Sequence, residues 1–232
     1  MKASALFVRI WDLPTRLFHW ALVAAVTGAI VTAKLEGRWM EWHVRLGITA
    51  LALVVFRLLW GLVGPRYARF SQFVQSPVRV LQTLRASRQS THTHAGHNPL
   101  GAWSVIAMLL ILLIQGATGL FSNDDIAIQG PLVQFVSGAS SSLLTKLHKL
   151  NEKFVFAIIG LHLIAIMVYA LKGHNLVKPM LTGDVPTTAL APQTPAARDD
   201  FSVRLAALLL ALALSAGAWW LMQLAANAPS FN

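Results

Sequence analysis

Histidines are the residues of this chain whose type and spacing most clearly offer chemistry. Eight occur: His19, His43, His92, His94, His97, His148, His162 and His174. Four of them, His19, His43, His148 and His162, stand in or at the ends of long apolar runs, where an ionisable side chain usually has a functional partner. Taken singly, each is as readily an interhelical hydrogen-bonding residue; the set argues for more. His148 and His162 are 14 residues apart. On a helix that is close to four turns, so both rings share one face, roughly 21 Å apart along the axis. One helix can then serve two sites at different depths. The chain has no cysteine, which excludes disulfides, thiolate metal sites, iron–sulfur clusters and covalent haem attachment through Cys-x-x-Cys-His.

The elements that must position these rings are transmembrane helices. The chain has 232 residues, 56% hydrophobic and 12% charged, with mean hydropathy +0.59, and a soluble domain carries roughly twice that charged fraction. Apolar runs at 17–33, 46–63, 100–121, 154–171 and 203–225 reach or approach the ~20 residues a spanning helix needs, and lipid leaves the backbone no alternative to a helix. The predicted helices cover about 15–34, 40–63, 99–121, 143–171 and 202–225. Asp12, Pro14, Arg16 and His19 around the start of the first run, and the lack of a small-residue cleavage site, mark it as a retained helix and not a cleaved signal peptide.

The net charge of +10 is explained by topology and not by nucleic acid. With a cytoplasmic N-terminus and alternating helices, 13 of the 19 Lys and Arg residues fall on the cytoplasmic side and six on the outer side, the bias expected of a bacterial inner-membrane protein with its C-terminus in the periplasm. That orientation puts His19 and His162 toward the cytoplasm and His43 and His148 toward the outer face. Depth therefore pairs His19 with His162 and His43 with His148.

Two neutral imidazoles with no thiol nearby suit a porphyrin iron, held by axial ligands alone and closed to substrate. Zinc or di-iron would want further ligands such as Glu-x-x-His pairs, and the spans contain none. The expected cofactors are thus two non-covalent haem b groups. Gly28, Gly47, Gly116, Gly119 and Gly160 lie within helices, where they either admit a flat macrocycle or serve ordinary small-residue packing. Arg16 and Arg57 near the cytoplasmic site, and Arg45 and Lys149 near the outer one, are candidate propionate partners; snorkelling to lipid phosphate is the competing reading.

Other segments speak less directly. Ser76-Pro77 followed by Val78, Leu81 and Leu84, with Arg79, Arg85 and Arg88 around them, reads as a short surface helix or an ordinary basic loop. His92, His94 and His97 are a weak metal-site candidate without acidic or thiol companions, and His174 is expected at the interface. Pro186, Pro192 and Pro195 mark 181–200 as a flexible linker. The organisation is an all-α, four-helix haem-binding membrane domain over 1–180, that linker, and a fifth transmembrane helix and tail over 201–232.

The chain resembles the bacterial cytochrome b561 superfamily, and within it the branch similar to the cytochrome b subunit of nickel–iron hydrogenases. The resemblance spans roughly residues 8–183. It is carried by Trp11-Asp-Leu-Pro-Thr-Arg-Leu-Phe-His19-Trp20, His43-Val-Arg-Leu-Gly47, Arg57-Leu-Leu-Trp-Gly61, Tyr67-Ala-Arg-Phe70, Gly96-His-Asn-Pro-Leu-Gly101, Thr118-Gly-Leu120, the His148/His162 pair and Asn175-Leu-Val-Lys-Pro-Met180. It implies two haem b groups and electron transfer across the membrane between a quinone pool and a redox partner, such as a c-type cytochrome or a dehydrogenase subunit. A membrane anchor and electron wire for a hydrogenase-like dehydrogenase is the alternative, and a His-lined metal or proton transporter a remote one. Homodimerisation stays open.

Overall fold

In the computed structural model the described residues are 6–76, 78, 80, 95–124 and 129–226. Five helices among them are long and apolar enough to cross a membrane: α1 (Leu13–Leu35), α2 (Met40–Val63), α3 (Pro99–Gly119), α4 (Gly138–Leu171) and α5 (Phe201–Ala226). The all-α membrane architecture expected from the apolar runs is the one observed. Leu81, Leu84, Arg79, Arg85, Arg88, His92 and His94 lie outside the described residues, and with them the surface-helix reading.

Side-chain caps start four of the five helices, each satisfying a backbone N–H that has no intrahelical acceptor. Asp12 Oδ1 accepts the Thr15 N–H of α1 at 2.9 Å. Asn98 Oδ1 accepts the Gly101 N–H of α3 at 2.6 Å, with Pro99 in the first helical position. Ser137 Oγ accepts the Ser140 N–H at 3.2 Å, which is why α4 begins at Gly138 and not near 143. Asp200 Oδ1 accepts the Val203 N–H of α5 at 3.1 Å.

The chain divides into two compact units, and each helix contributes to both. The first unit takes in Met1–Leu17, Leu58–Ala107 and Gly160–Ala207. Here the stretch expected to be a flexible linker is bound into a small sheet. Strand β1 (Phe7–Arg9) pairs antiparallel with β2 (Asp184–Pro186), Val8 opposite Val185 and Arg9 opposite Asp184. Gly183, at φ +88° and unable to carry a Cβ without approaching the Trp11 carbonyl to 2.7 Å, turns the chain into β2. Its carbonyl accepts the Ile10 and Trp11 N–H groups at 2.9 and 3.1 Å. The Thr187 N–H reaches the Leu6 carbonyl and the Ala197 N–H the Arg9 carbonyl, at 2.9 and 2.7 Å. Ile10, Trp11 and Leu190 bury together beneath these contacts. Proline content suggested a solvated spacer; the backbone partners supplied by residues 6–11 make it part of the unit.

Charges close the same unit. Arg9 pairs with Asp184 at 2.8 Å and with Asp199 at 3.1 Å. Asp199 also accepts the Leu13 N–H at 3.1 Å and is paired by Arg204 at 3.2 Å, so one carboxylate ties the segment before α1, the start of α1 and the start of α5. Asp12, fully buried, accepts Trp60 Nε1–H at 3.2 Å as well as capping α1. Gly61 lies under the Phe70 ring, and a Cβ there would fall inside the ring's contact distance. Gly61→Ala is therefore expected to lower stability by about 1–3 kcal/mol through overpacking, read as an earlier thermal or denaturant transition of the detergent-solubilised protein; an unchanged transition would contradict this packing.

The second unit takes in Phe18–Arg57, Met108–Ile159 and Leu208–Asn232. Gly28 packs against Leu46 and Gly116 against Leu51, each with room for a Cβ only at 2.9 Å from the leucine, so at these two positions the glycines serve close helix packing. Lys34 pairs with Glu152 at 2.7 Å. The loop after α3 folds back on itself, Gly130 donating to the Ser122 carbonyl and Leu132 to the Leu120 carbonyl, while Ser141 of α4 donates to the Phe121 carbonyl at 2.8 Å.

Candidate functional site

Within the second unit, His43 of α2 and His148 of α4 face one another. Their ring centroids are 6.1 Å apart and their planes nearly perpendicular, at 83°. His43 Nδ1 lies 2.8 Å from the Ala29 carbonyl of α1, and His148 Nδ1 lies 2.9 Å from the Gln115 carbonyl of α3. A carbonyl only accepts, so both Nδ1 atoms carry the proton and both Nε2 atoms keep a lone pair. That is the tautomer of a metal-ligating imidazole, and the Nδ1–H···O=C bond is the outer contact that fixes its orientation and raises its basicity.

The pair fits a haem iron. The 6.1 Å between ring centroids leaves a gap in which one metal ion would be within ligating reach of both imidazoles. Among the described residues no third His, Cys, Asp or Glu completes a metal-binding group with them. Two imidazoles alone would leave a metal under-coordinated, and a porphyrin would supply the remaining nitrogens. A Cβ at Gly119 would stand 2.9 Å from His148 Cε1, so this glycine is shaped to the ring, whereas Gly47 and Gly160 have nothing within 4 Å of the added atom.

Around His148 lies a polar group that an inventory of ionisable residues passes over. Gln115 Nε2 is 3.2 Å from His148 Nε2, Thr118 Oγ1 is 3.3 Å from His148 Nδ1, and buried Asn151 donates to Gln115 Oε1 at 2.8 Å and to the Ile111 carbonyl at 2.9 Å. The signal was present in the sequence. Gln115 sits inside an otherwise apolar run, and Asn151 follows His148 by three residues, on the same helix face.

The other predicted site residues are placed as follows. His19 belongs to the second unit and His162 to the first; the His19 ring stands edge-on to Trp20 at 5.0 Å. Arg45 lies 3.7 Å from Glu41 and stacks over Trp42 at 5.4 Å. Lys149 is exposed. Arg16 donates to the Leu181 carbonyl at 2.7 Å, and Arg57 is buried, 3% exposed. His97 sits between Trp11 and Phe73, ring centroids at 4.8 and 4.4 Å, in an aromatic packing role within the first unit. The His174 N–H donates to the Tyr169 carbonyl at 2.9 Å.

The family model for prokaryotic cytochrome b561 matches residues 10–183, which takes in α1 to α4 and all four candidate haem ligands and ends just before β2. No significant match to a curated protein or to a solved structure was found. With five membrane-length helices and a family match over most of its length, the chain belongs to the prokaryotic cytochrome b561 family and is a multi-pass bacterial membrane protein that binds b-type haem and transfers electrons.

Proposed function

We propose that the chain is a dihaem cytochrome that carries electrons across the bilayer between a quinone pool and a partner redox protein. The observation that supports this most is the perpendicular His43–His148 pair with both Nδ1–H groups committed to helix carbonyls. Haem iron, when bound, supplies a one-electron couple with no open coordination position, which suits electron transfer and not oxygen chemistry. The protein's part is to hold two facing rings in one tautomer, each fixed by its Nδ1–H on a helix carbonyl. His19 and His162 are the ligands of the second haem in this reading. Its support is the 14-residue interval that gives His162 and His148 a common face of α4, and the charge bias that puts His19 and His162 at the cytoplasmic depth. Arg45 and Lys149 at the outer site, and Arg16 and Arg57 at the cytoplasmic one, are the propionate partners. The N-terminus faces the cytoplasm and the C-terminus the periplasm.

Reconstitution into vesicles enclosing an impermeant oxidant tests the proposal. Quinol added outside should reduce the haems and then the trapped oxidant, and vesicles without the protein should show no such reaction. Haems that quinol cannot reduce would contradict the quinone assignment, and reduction without transfer to the lumen would contradict a transmembrane path. A dehydrogenase subunit that co-purifies would identify the donor or acceptor and make the chain that enzyme's electron wire.

A further inference from the structure

We propose that the seam of Leu143, Leu147, Leu150 and Phe154 on the first half of α4, with Lys146 and Lys153 along one side, is the docking surface for an acidic amphipathic helix of the redox partner. The inference rests on the orientation and the partner proposed above. α4 has 34 residues, about 51 Å at ~1.5 Å per residue, against a hydrocarbon core of ~30 Å. Its apolar run continues to Leu171, so the surplus of about 20 Å stands at the Gly138 end. The Lys34–Glu152 pair, at 2.7 Å with both side chains solvent-exposed, marks the same boundary, because charge on a lipid-facing surface is costly. Leu143, Leu147 and Leu150 lie on the water side of Glu152 along the helix, where no acyl chain covers them. All three are exposed, as is Phe154 at the boundary, 41 to 58% in each case.

Spacings of four, three and four residues put these side chains in one stripe, the seam by which a helix packs on another helix. The buried face of the same stretch, Ser141, Asn151 and Val155, lies to one side of it. On the other side Lys146 and Lys153 stand one heptad apart, at the flanking position whose charge sets partner choice in such packings. Both are exposed. Glu152 is taken by Lys34 and Glu41 by Arg45, and among the described residues neither Lys146 nor Lys153 forms an ion pair. A second copy laid antiparallel on the seam brings lysine against lysine. Laid parallel, it brings Leu144 and Asn151, and so no carboxylate. Charge complementarity therefore selects a helix whose apolar stripe is bordered by carboxylates. His148 stands between Leu147 and Leu150 in the chain, so a helix docked here lies within about one helix diameter, ~10 Å, of that ring.

The chain has no cysteine, so Leu147→Cys places a single thiol on the seam. Cells that naturally carry the protein are given this variant and treated from outside with a membrane-impermeant maleimide. The purified variant is treated likewise in detergent and in vesicles of phosphatidylethanolamine and phosphatidylglycerol. Labelling in cells should be about tenfold slower than in either purified form, and adding Lys146→Glu and Lys153→Glu should restore the faster rate, since like charges reject a partner. Equal rates in cells and in the purified protein overturn the proposal. So does protection that persists in the vesicles, which makes lipid the cover, or a disulfide-linked dimer under oxidant, which makes it a second copy. Protection that the two charge reversals leave unchanged overturns the acidic partner. Haem content, expected to be unaltered in every variant, reports that the fold survives. An unprotected seam in a protein that still carries electrons across vesicles overturns only this inference, whereas a seam covered as expected in a protein that carries none overturns the redox reading.

Discussion

Replacing His148 by alanine should lower the haem content from two groups per chain to one, and His43→Ala should remove the same haem. Without cysteine the porphyrin has no covalent tether, so in the proposed site only axial ligation and packing would hold it. Altering only an outer contact of a metal ligand commonly costs 10–100-fold in affinity, and deleting the ligand removes the bond itself. The two rings face each other across 6.1 Å, so either deletion disables one site. The double variant should lose no more than each single one. His19→Ala and His162→Ala should each remove the other haem. The pairing is wrong if His43→Ala and His162→Ala remove the same one. Haem extracted per chain, together with the spectrum of what remains, reads the outcome.

Asp199→Asn should destabilise the first unit by roughly 2–3 kcal/mol, the scale of charge-assisted hydrogen bonds lost at a largely buried carboxylate. One Asp199 carboxylate meets Arg9, Arg204 and the Leu13 N–H, and its side chain is 8% exposed. The change should appear as an earlier thermal transition and as faster proteolysis within 181–200. A pH dependence follows with a definite sign. Burial pushes the Asp199 carboxyl up, but the hydrogen bonds from Arg204 and the Leu13 N–H, with the charges of Arg204 and Arg9, outweigh it and hold the group below the usual carboxylate range. A group depressed in the folded state contributes stability above its unfolded value, about 3.9 for Asp, and that stability disappears as pH falls through the lower folded value. The native protein should therefore lose stability below about pH 4, and Asp199→Asn should lose less over the same interval. Parallel pH profiles for the two proteins would contradict the clamp.

The five helices were legible because hydropathy and helix length respond to the same constraint, a hydrocarbon layer with no partners for the backbone. Depth alone paired His43 with His148, and the structure brings those two rings together. Two things lay beyond the sequence. The order of 181–200 depends on pairing with residues 6–9, about three quarters of the chain length away, and no local pattern encodes a two-strand contact between such distant segments. The direction of the Gln115 amide depends on a carbonyl of its own helix and a side chain of another, a matter of donors and acceptors that only coordinates reveal. The glycines divide in the same way. Gly28 and Gly116 serve leucine packing and Gly119 meets the His148 ring, a distinction invisible in a list of helical glycines.

The most direct measurement is haem extraction from the purified chain, combined with a dithionite-reduced minus oxidised difference spectrum. Two non-covalent b haems per polypeptide, both low-spin with bis-imidazole spectra, are the predicted result; a colourless protein, or haem whose iron carries an open coordination position, would contradict it.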